Sequence, residues 1–189
     1  GDALVDASYL GEPLVVINGN VNLQTAPEEA SYHELRVALF WSSGHTLGQT
    51  NYQALDSIEH PVVTLTSFPA RYEMRVYEPP LQLMTALPEP NEGAATVANV
   101  LLYDDVDRDG RWDQASERLV GGSTGGVLLF TPAGVRGDLI LTEEPEEVGE
   151  IAPGFHVVVP ELLGACEGES DFVPLYLQST PQVDLFVVD

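Results

Sequence analysis

Hydrophobic and polar residues alternate along several short stretches of the chain, and this pattern predicts β-strands. Residues 34–42 (ELRVALFWS) place Leu, Val, Leu and Trp at alternate positions, and residues 71–77 (RYEMRVY) place Tyr, Met and Val between charged residues. A period of two with β-branched and aromatic residues is typical of strands that bury one face. The same pattern predicts further strands at residues 14–23, 63–66, 96–103, 127–131, 138–141, 155–159, 172–177 and 183–187.

Turn-forming residues separate these stretches and favour an all-β fold. Asn-Gly, Pro-Pro, Gly-Gly and Pro-Gly pairs fall between the predicted strands, and 14 prolines and 17 glycines leave little room for long helices. Roughly ten short strands at this spacing predict an antiparallel β-sandwich, either immunoglobulin-like or transthyretin-like. The best candidate for a helix is residues 46–58, and a short turn is expected at 160–166. We expect one domain over residues 1–189, with a sub-boundary near 88–93 as the alternative.

The segment 103–117 (YDDVDRDGRWDQASE) is the part of the chain that points most clearly to chemistry. Carboxylates at positions one, three and five of such a loop converge on a hard cation, and a glycine at position six permits a sharp turn. Calcium tolerates six to eight oxygen ligands, whereas magnesium demands a tighter octahedron, so calcium is the predicted ion. The predicted ligands are the side chains of Asp105, Asp107, Asp109, Asp113 and Glu117 and the backbone carbonyl of Arg111.

Two interpretations of this loop stay open. Four carboxylates within nine residues repel one another, and a divalent cation would relieve that repulsion and fix the connection between two strands. By the precedent of extracellular modules, the dissociation constant would be on the order of 10⁻⁴ to 10⁻³ M. The alternative is a solvated turn without a metal, because Asp and Gly also favour turns for local backbone reasons.

The loop resembles the calcium loops of EF-hand and dockerin proteins at its three alternating aspartates, at Gly110 and at Asp113. It departs from them because Trp112 stands where a small aliphatic residue is usual, because position twelve is Ser116, and because the flanks predict strands instead of helices. The wider pattern, LVVINGNV followed by FPARYEMRVYEPP and then strand, acidic loop and strand, is similar to transthyretin-like or carboxypeptidase-regulatory-like domains. That resemblance implies a β-sandwich on a secreted or surface-anchored bacterial protein.

Charge narrows the set of partners. The formal net charge is −23, with 30 acidic residues against seven arginines and no lysine, which excludes nucleic acid and anionic membranes as direct partners. No apolar run is long enough for a membrane span. The single Cys166 can form no internal disulfide. Because millimolar calcium is an extracellular resource, the loop favours an extracellular or cell-surface location, with a lipid anchor upstream as one option.

Enzymatic motifs are weak. The run Gly-Gly-Ser-Thr-Gly at 121–125 fits G-x-S-x-G, but a strand instead of the required helix is predicted after it. The four histidines have no zinc spacing.

We therefore expect no enzyme but a calcium-binding structural or binding module. Two alternatives remain: a carbohydrate- or peptide-binding module that displays Trp41, Tyr103 and Trp112, and a hydrolase built on paired carboxylates. For Trp112, packing against the edge of the sheet is the alternative to exposure as a binding surface, because aromatic side chains are more often packed than exposed.

Overall fold

The computed structural model describes residues 11–23, 32–43, 59–64, 70–87, 89–123, 126–137, 149–160, 175–177 and 183–187. Within these ranges the chain forms strands and no α-helix, so the all-β class is confirmed. The predicted helix at 46–58, the predicted strand at 138–141 and residues 161–166 of the predicted turn lie outside the described residues. The strands are β1 (Val15–Leu23), β2 (Leu35–Ser43), β3 (Glu59–Thr64), β4 (Ala70–Val76), β5 (Thr85–Ala86), β6 (Glu92–Asp104), β7 (Arg118–Ser123), β8 (Val127–Thr131), β9 (Val135–Gly137), β10 (Gly149–Ile151), β11 (Gly154–Pro160), β12 (Leu175–Leu177) and β13 (Leu185–Val187).

Strand β6 is the hub of the sheet. It pairs antiparallel with β2 over nine consecutive residue pairs, from Leu35 opposite Asp104 to Ser43 opposite Thr96. It also pairs with β8 at residues 96–98 and with β7 at residues 101–104. From β8 and β7 the pairing continues outward in the order β12-β11-β8-β6-β7-β13-β1-β4. Off this path, β3 pairs with β2, β5 and β9 pair with β6, and β10 pairs with β9. A long central strand therefore gathers partners that are distant in sequence.

The described strands form one hydrogen-bonded network that curls, and a division into two packed sheets is not confirmed. Most neighbouring strands are antiparallel, and β1 with β13 is the parallel pair. Strands β3 and β4 lie close together, although no ladder of backbone hydrogen bonds joins them in the described residues. Residues 89–91 lie between β5 and the start of β6, and β5 pairs back onto residues 94–95 of β6. In the part of the chain that the structure describes, no helix is long and apolar enough to span a membrane.

The predicted alternation is clearest in β4, where buried and exposed residues alternate along the whole strand. Its buried side chains join the largest hydrophobic cluster, together with inward residues of β1, β2 and β6 such as Ile17, Leu39 and Val100. Strand β2 differs from the half-buried expectation, because Ala38 and Phe40 on its other face are also buried. Phe40 packs there in a second cluster that Trp112 of the acidic loop joins.

Gly19 of β1 marks the tightest approach in the described sheet. A Cβ atom at this position would lie 1.9 Å from the carbonyl oxygen of Val183 and 2.9 Å from the ring of Tyr72. The hydroxyl of Tyr72 donates a hydrogen bond to the same Val183 carbonyl, with 2.5 Å between the two oxygens. The backbone of Val183 also donates to Asn18, with the nitrogen 2.9 Å from the oxygen. No side chain fits here unless the backbone moves.

We expect Gly19→Ala to lower the free energy of unfolding by about 1–3 kcal/mol, because the added methyl group meets backbone atoms that cannot rotate away. Urea unfolding checks this. Asn18→Ala is the matched control, because its side chain is exposed one residue away, and it should change stability by less than about 0.5 kcal/mol. Equal stability of Gly19→Ala and wild type would contradict the close approach.

Candidate metal centre

The acidic loop connects β6, which ends at Asp104, with β7, which begins at Arg118. The prediction that strands flank the loop is confirmed. The first loop residue is fastened to the sheet, because the backbone N–H of Asp105 donates to the carbonyl of Glu34, with 2.9 Å between nitrogen and oxygen. The chain then reverses through two residues with positive φ, Arg108 at 62° and Gly110 at 81°. Gly110 thus adopts the left-handed backbone that the sequence predicts for a sharp turn.

The loop brings three of the predicted ligands together. One carboxylate oxygen from each of Asp105, Asp107 and Asp109 lies within 4.8 Å of the other two, with Asp105 buried and the other two exposed. Each carboxylate also accepts a backbone N–H of the loop. Asp107 accepts from Asp109 at 3.2 Å, Asp109 from Arg111 at 2.7 Å, and Asp105 from Gly110 at 3.0 Å. These bonds hold the three side chains toward a common point.

Asp105 is the most constrained of the three. Its side chain is completely buried, and its Oδ2 accepts hydrogen bonds from Gly110 and from the Nε of Arg36. Its Oδ1 is buried and has no hydrogen-bond partner among the described residues. Burial, the largest influence, pushes the pKa of Asp105 up, but the hydrogen bonds from Gly110 and Arg36 and the charge of Arg36 together hold it below the usual value. Asp105 is therefore an ionised carboxylate with one buried oxygen that lacks a partner, which is costly without a cation or donor.

Asp113 lies outside the three-carboxylate group. Its Oδ1 accepts the backbone N–H of Ala115 at 2.9 Å, and its Oδ2 accepts the hydroxyl of Ser116 at 2.7 Å. These two bonds, with that of Ser116 first, lower the pKa of Asp113. Its carbonyl accepts the N–H of Glu117, 2.9 Å away, so residues 113–117 form a single helical turn that the Asp113 side chain caps. Coordination of a metal by Asp113 remains a prediction.

Glu117 is buried on the inner side of the loop. Its two oxygens accept backbone N–H groups from Val106 at 3.1 Å and from Asp113 at 2.9 Å. Burial raises the pKa of Glu117 above its usual value, against the effect of these two bonds, and the neighbouring charge of Asp105 raises it further. Either a proton on Glu117 or a cation between the two carboxylates would relieve that repulsion. Glu117 and the carbonyl of Arg111 remain predicted ligands.

The sequence analysis did not identify four residues that lie beside the loop: His33, Glu34, Arg36 and Asp104. Arg36 of β2 bonds to Asp105 through Nε and to Glu34 through a terminal guanidinium nitrogen. Asp104, also buried, accepts the backbone N–H groups of His33 at 2.7 Å and Glu34 at 3.1 Å, and lies 3.1 Å from Nδ1 of His33. Apart from the bond between Arg36 and Glu34, these contacts join residues about seventy positions apart. The only signal in the sequence was one of seven arginines in an otherwise apolar strand.

The aromatic residues near the loop pack against one another. Trp112 is half-buried and meets Phe40 and Tyr103 edge to face, with ring centroids 5.9 Å and 5.5 Å apart. Tyr103 is fully buried, and Trp41 is only 2% exposed on the other face of β2. These side chains therefore do not form the exposed strip that a carbohydrate- or peptide-binding module would need. The structure supports the expectation that Trp112 anchors the loop to the sheet.

The other sequence motifs show no catalytic arrangement within the described residues. The G-x-S-x-G run joins β7 to β8, so the helix that a nucleophile elbow requires is absent at this connection. The hydroxyl of Ser123 accepts the backbone N–H of Gly126 at 3.0 Å, as in an ordinary turn. His156 lies with its Nε2 2.8 Å from the carbonyl oxygen of Ala152.

Comparison of the chain with protein-family models, with curated proteins and with solved structures found no match.

Packing of Trp112 predicts that its truncation destabilises the fold. We expect Trp112→Ala to lower the free energy of unfolding by about 2 kcal/mol, because a half-buried ring loses its contacts with Phe40 and Tyr103. The neighbouring Arg111→Ala removes an exposed side chain and should cost less than about 0.5 kcal/mol. Chemical unfolding in chelator measures both. A Trp112→Ala protein as stable as the Arg111→Ala control would show that the ring is displayed and not packed.

The raised pKa of Glu117 predicts a pH-dependent difference between wild type and Glu117→Gln. A native pKa above the unfolded value means that the native protein holds the proton more tightly, so this contribution to stability is lost as pH rises from about 4.3 through the native pKa. Without calcium, the variant should therefore become more stable relative to wild type as pH rises across that window. Urea unfolding in chelator from about pH 4 to pH 8 checks this. A difference that is constant across this range would contradict the raised pKa of Glu117.

Proposed function

We propose that the loop from Asp105 to Glu117 binds a calcium ion and that the domain is a non-catalytic structural module. The observation that carries the proposal is the buried Oδ1 of Asp105, which lacks a hydrogen-bond partner among the described residues and belongs to a carboxylate grouped with Asp107 and Asp109. An acidic cluster alone is common on protein surfaces. A buried, ionised and incompletely bonded carboxylate within that cluster is not, and a cation is its natural partner.

The donor set fits calcium. All candidate ligands are oxygens, which hard cations prefer, and the three grouped carboxylates would form the centre of the site. The carbonyl of Arg111 would add a neutral oxygen. Asp113 and Glu117 accept backbone N–H groups of the loop, as the three grouped carboxylates do, and would join the shell through their remaining lone pairs. Calcium tolerates such irregular and variable shells better than magnesium does.

A bound ion would be structural because of where the loop is attached. Asp105 bonds through its backbone to Glu34 and through its side chain to Arg36, while the other two carboxylates belong to the exposed part of the loop. The ion would therefore link the exposed loop to the edge where β2, β6 and β7 meet. The role of a rigid, calcium-dependent connection suits an extracellular or cell-surface protein, and the net charge of −23 agrees with a calcium-rich setting. Neither the binding-module nor the hydrolase alternative is favoured by an observation in the described residues.

We expect calcium to raise the melting temperature. With a dissociation constant on the order of 10⁻⁴ to 10⁻³ M, about 10 mM calcium would stabilise the native protein by about 1.4–2.7 kcal/mol. For a domain of this size that corresponds to roughly 3–10 °C. Thermal unfolding in calcium and in excess chelator measures the shift. Asp107→Asn together with Asp109→Asn should abolish it, because these two oxygens complete the group with Asp105.

The control removes the same amount of charge elsewhere. Glu73→Gln with Glu92→Gln changes two exposed carboxylates on β4 and β6, and this double variant should keep the calcium response. It separates a specific site from the diffuse attraction that a strongly acidic surface exerts on any cation. Identical melting of the wild type in calcium and in chelator would refute the proposal. A response that survives the double loop substitution would place the ion elsewhere.

A further inference from the structure

Arg36 occupies a position that a simple metal loop does not require. Its guanidinium is mostly buried, with 15% of the side chain exposed, and it bonds to Oδ2 of Asp105. A second guanidinium nitrogen bonds to Glu34, which is 27% exposed. Gly110 lies over the guanidinium, since a Cβ atom at that position would be 3.6 Å from one of its terminal nitrogens. A fixed positive charge therefore lies directly beside the candidate ion site and is largely shielded from water.

This charge acts in opposite directions in the two states of the site. Without an ion, it pairs with the buried carboxylate of Asp105, which would otherwise be costly to keep in the folded protein. With an ion, the same guanidinium repels a divalent cation that shares the Asp105 carboxylate, and partial burial weakens the screening between them. The arrangement thus favours the ion-free fold and opposes binding.

We propose that Arg36 is a built-in counter-cation that keeps the fold intact without calcium and limits the calcium affinity of the loop. This inference rests on the proposed calcium site and identifies the residue that sets its strength. Arg36 donates to Oδ2 of Asp105, and Oδ1 has no hydrogen-bond partner among the described residues, so Arg36 compensates the charge without occupying Oδ1.

Arg36 also orients Asp105, and loss of that orientation would weaken binding instead of strengthening it. Two other contacts hold Asp105 independently of Arg36. Gly110 donates its backbone N–H to Oδ2, and the backbone N–H of Asp105 donates to the carbonyl of Glu34. The charge effect is therefore expected to exceed the positioning effect when Arg36 is replaced.

The test is calcium titration calorimetry at low ionic strength, with melting in chelator as a second readout. Arg36→Gln keeps a donor and removes the charge, and it should bind calcium roughly tenfold more tightly while melting at a lower temperature in chelator. Arg36→Lys restores the charge and should bring the affinity back to within about threefold of wild type. Arg75→Gln is the matched control, because it removes an arginine that is also paired with a glutamate, Glu73, but on the exposed side of β4.

A second variant should change the calcium affinity in the opposite direction, and it does not remove a mostly buried side chain. Glu34 shares the guanidinium of Arg36 with Asp105. Glu34→Gln leaves that positive charge less compensated, so calcium binding should weaken by roughly threefold. The Glu34 side chain is partly exposed, and its backbone contacts with Asp104 and Asp105 do not involve it. This variant is therefore expected to fold even if Arg36→Gln does not.

The outcomes separate this inference from the proposed function. Wild-type protein without any calcium response would refute the calcium site itself. A wild-type response combined with unchanged or weaker binding by Arg36→Gln would overturn the role of Arg36 alone. If Arg36→Gln does not fold, unchanged or tighter binding by Glu34→Gln would overturn it. Tighter binding by Arg75→Gln that equals the gain of Arg36→Gln would also overturn it, because the effect would then reflect overall charge.

Discussion

The antiparallel pairing of β2 with β6 is the constraint on which both the core and the acidic loop depend. Nine consecutive pairs fix the register, so the start of β2 lies beside the end of β6, where the loop leaves the sheet. One face of the paired strands supplies the main hydrophobic cluster, and the other packs Phe40 and Tyr103 under Trp112. A slip of one residue would exchange these faces and would move Arg36 away from Asp105. The position of the candidate site is thus a consequence of sheet register.

Asp104 and Asp105 are both buried at the end of β6, and the protein compensates their negative charges in different ways. Asp104 points to β2 and accepts two backbone N–H groups, with His33 beside its other oxygen. Asp105 points to the loop, where Arg36 and the backbone N–H of Gly110 both donate to Oδ2, and the backbone of Arg108 also helps to lower its pKa. A buried carboxylate must be paired and hydrogen-bonded to be tolerated. Asp104 meets that condition at both oxygens and Asp105 meets it at one among the described residues, so the proposed ion site is centred on Asp105 and not on Asp104.

Local sequence patterns predicted the features that depend on local geometry. Residue type and spacing account for the alternation in β4, the turn at Gly110 and the strands on either side of the loop. They also account for the grouping of Asp105 with Asp107 and Asp109. Arg36 and Asp104 could not be assigned in this way, because their roles arise from contacts across about seventy residues. Spacing also could not reveal that Asp113 caps a helical turn and that Glu117 accepts backbone N–H groups. Whether the strands pack as two layers depends on long-range pairing as well, and the division into two sheets is not confirmed by the single curled network of the described strands.

The uneven burial of the loop carboxylates supports the proposed specific ion site over a general attraction of cations to an acidic surface. A net charge of −23 concentrates cations around the whole protein, but exposed carboxylates in water gain little from any single ion. Asp107 and Asp109 alone would belong to that class. Asp105 is different, because its Oδ1 is buried and has no hydrogen-bond partner among the described residues, so an ion there would supply one. An ion shared by the three carboxylates would therefore draw Asp107 and Asp109 toward the buried Asp105. Its binding free energy would then stabilise the folded connection between β6 and β7.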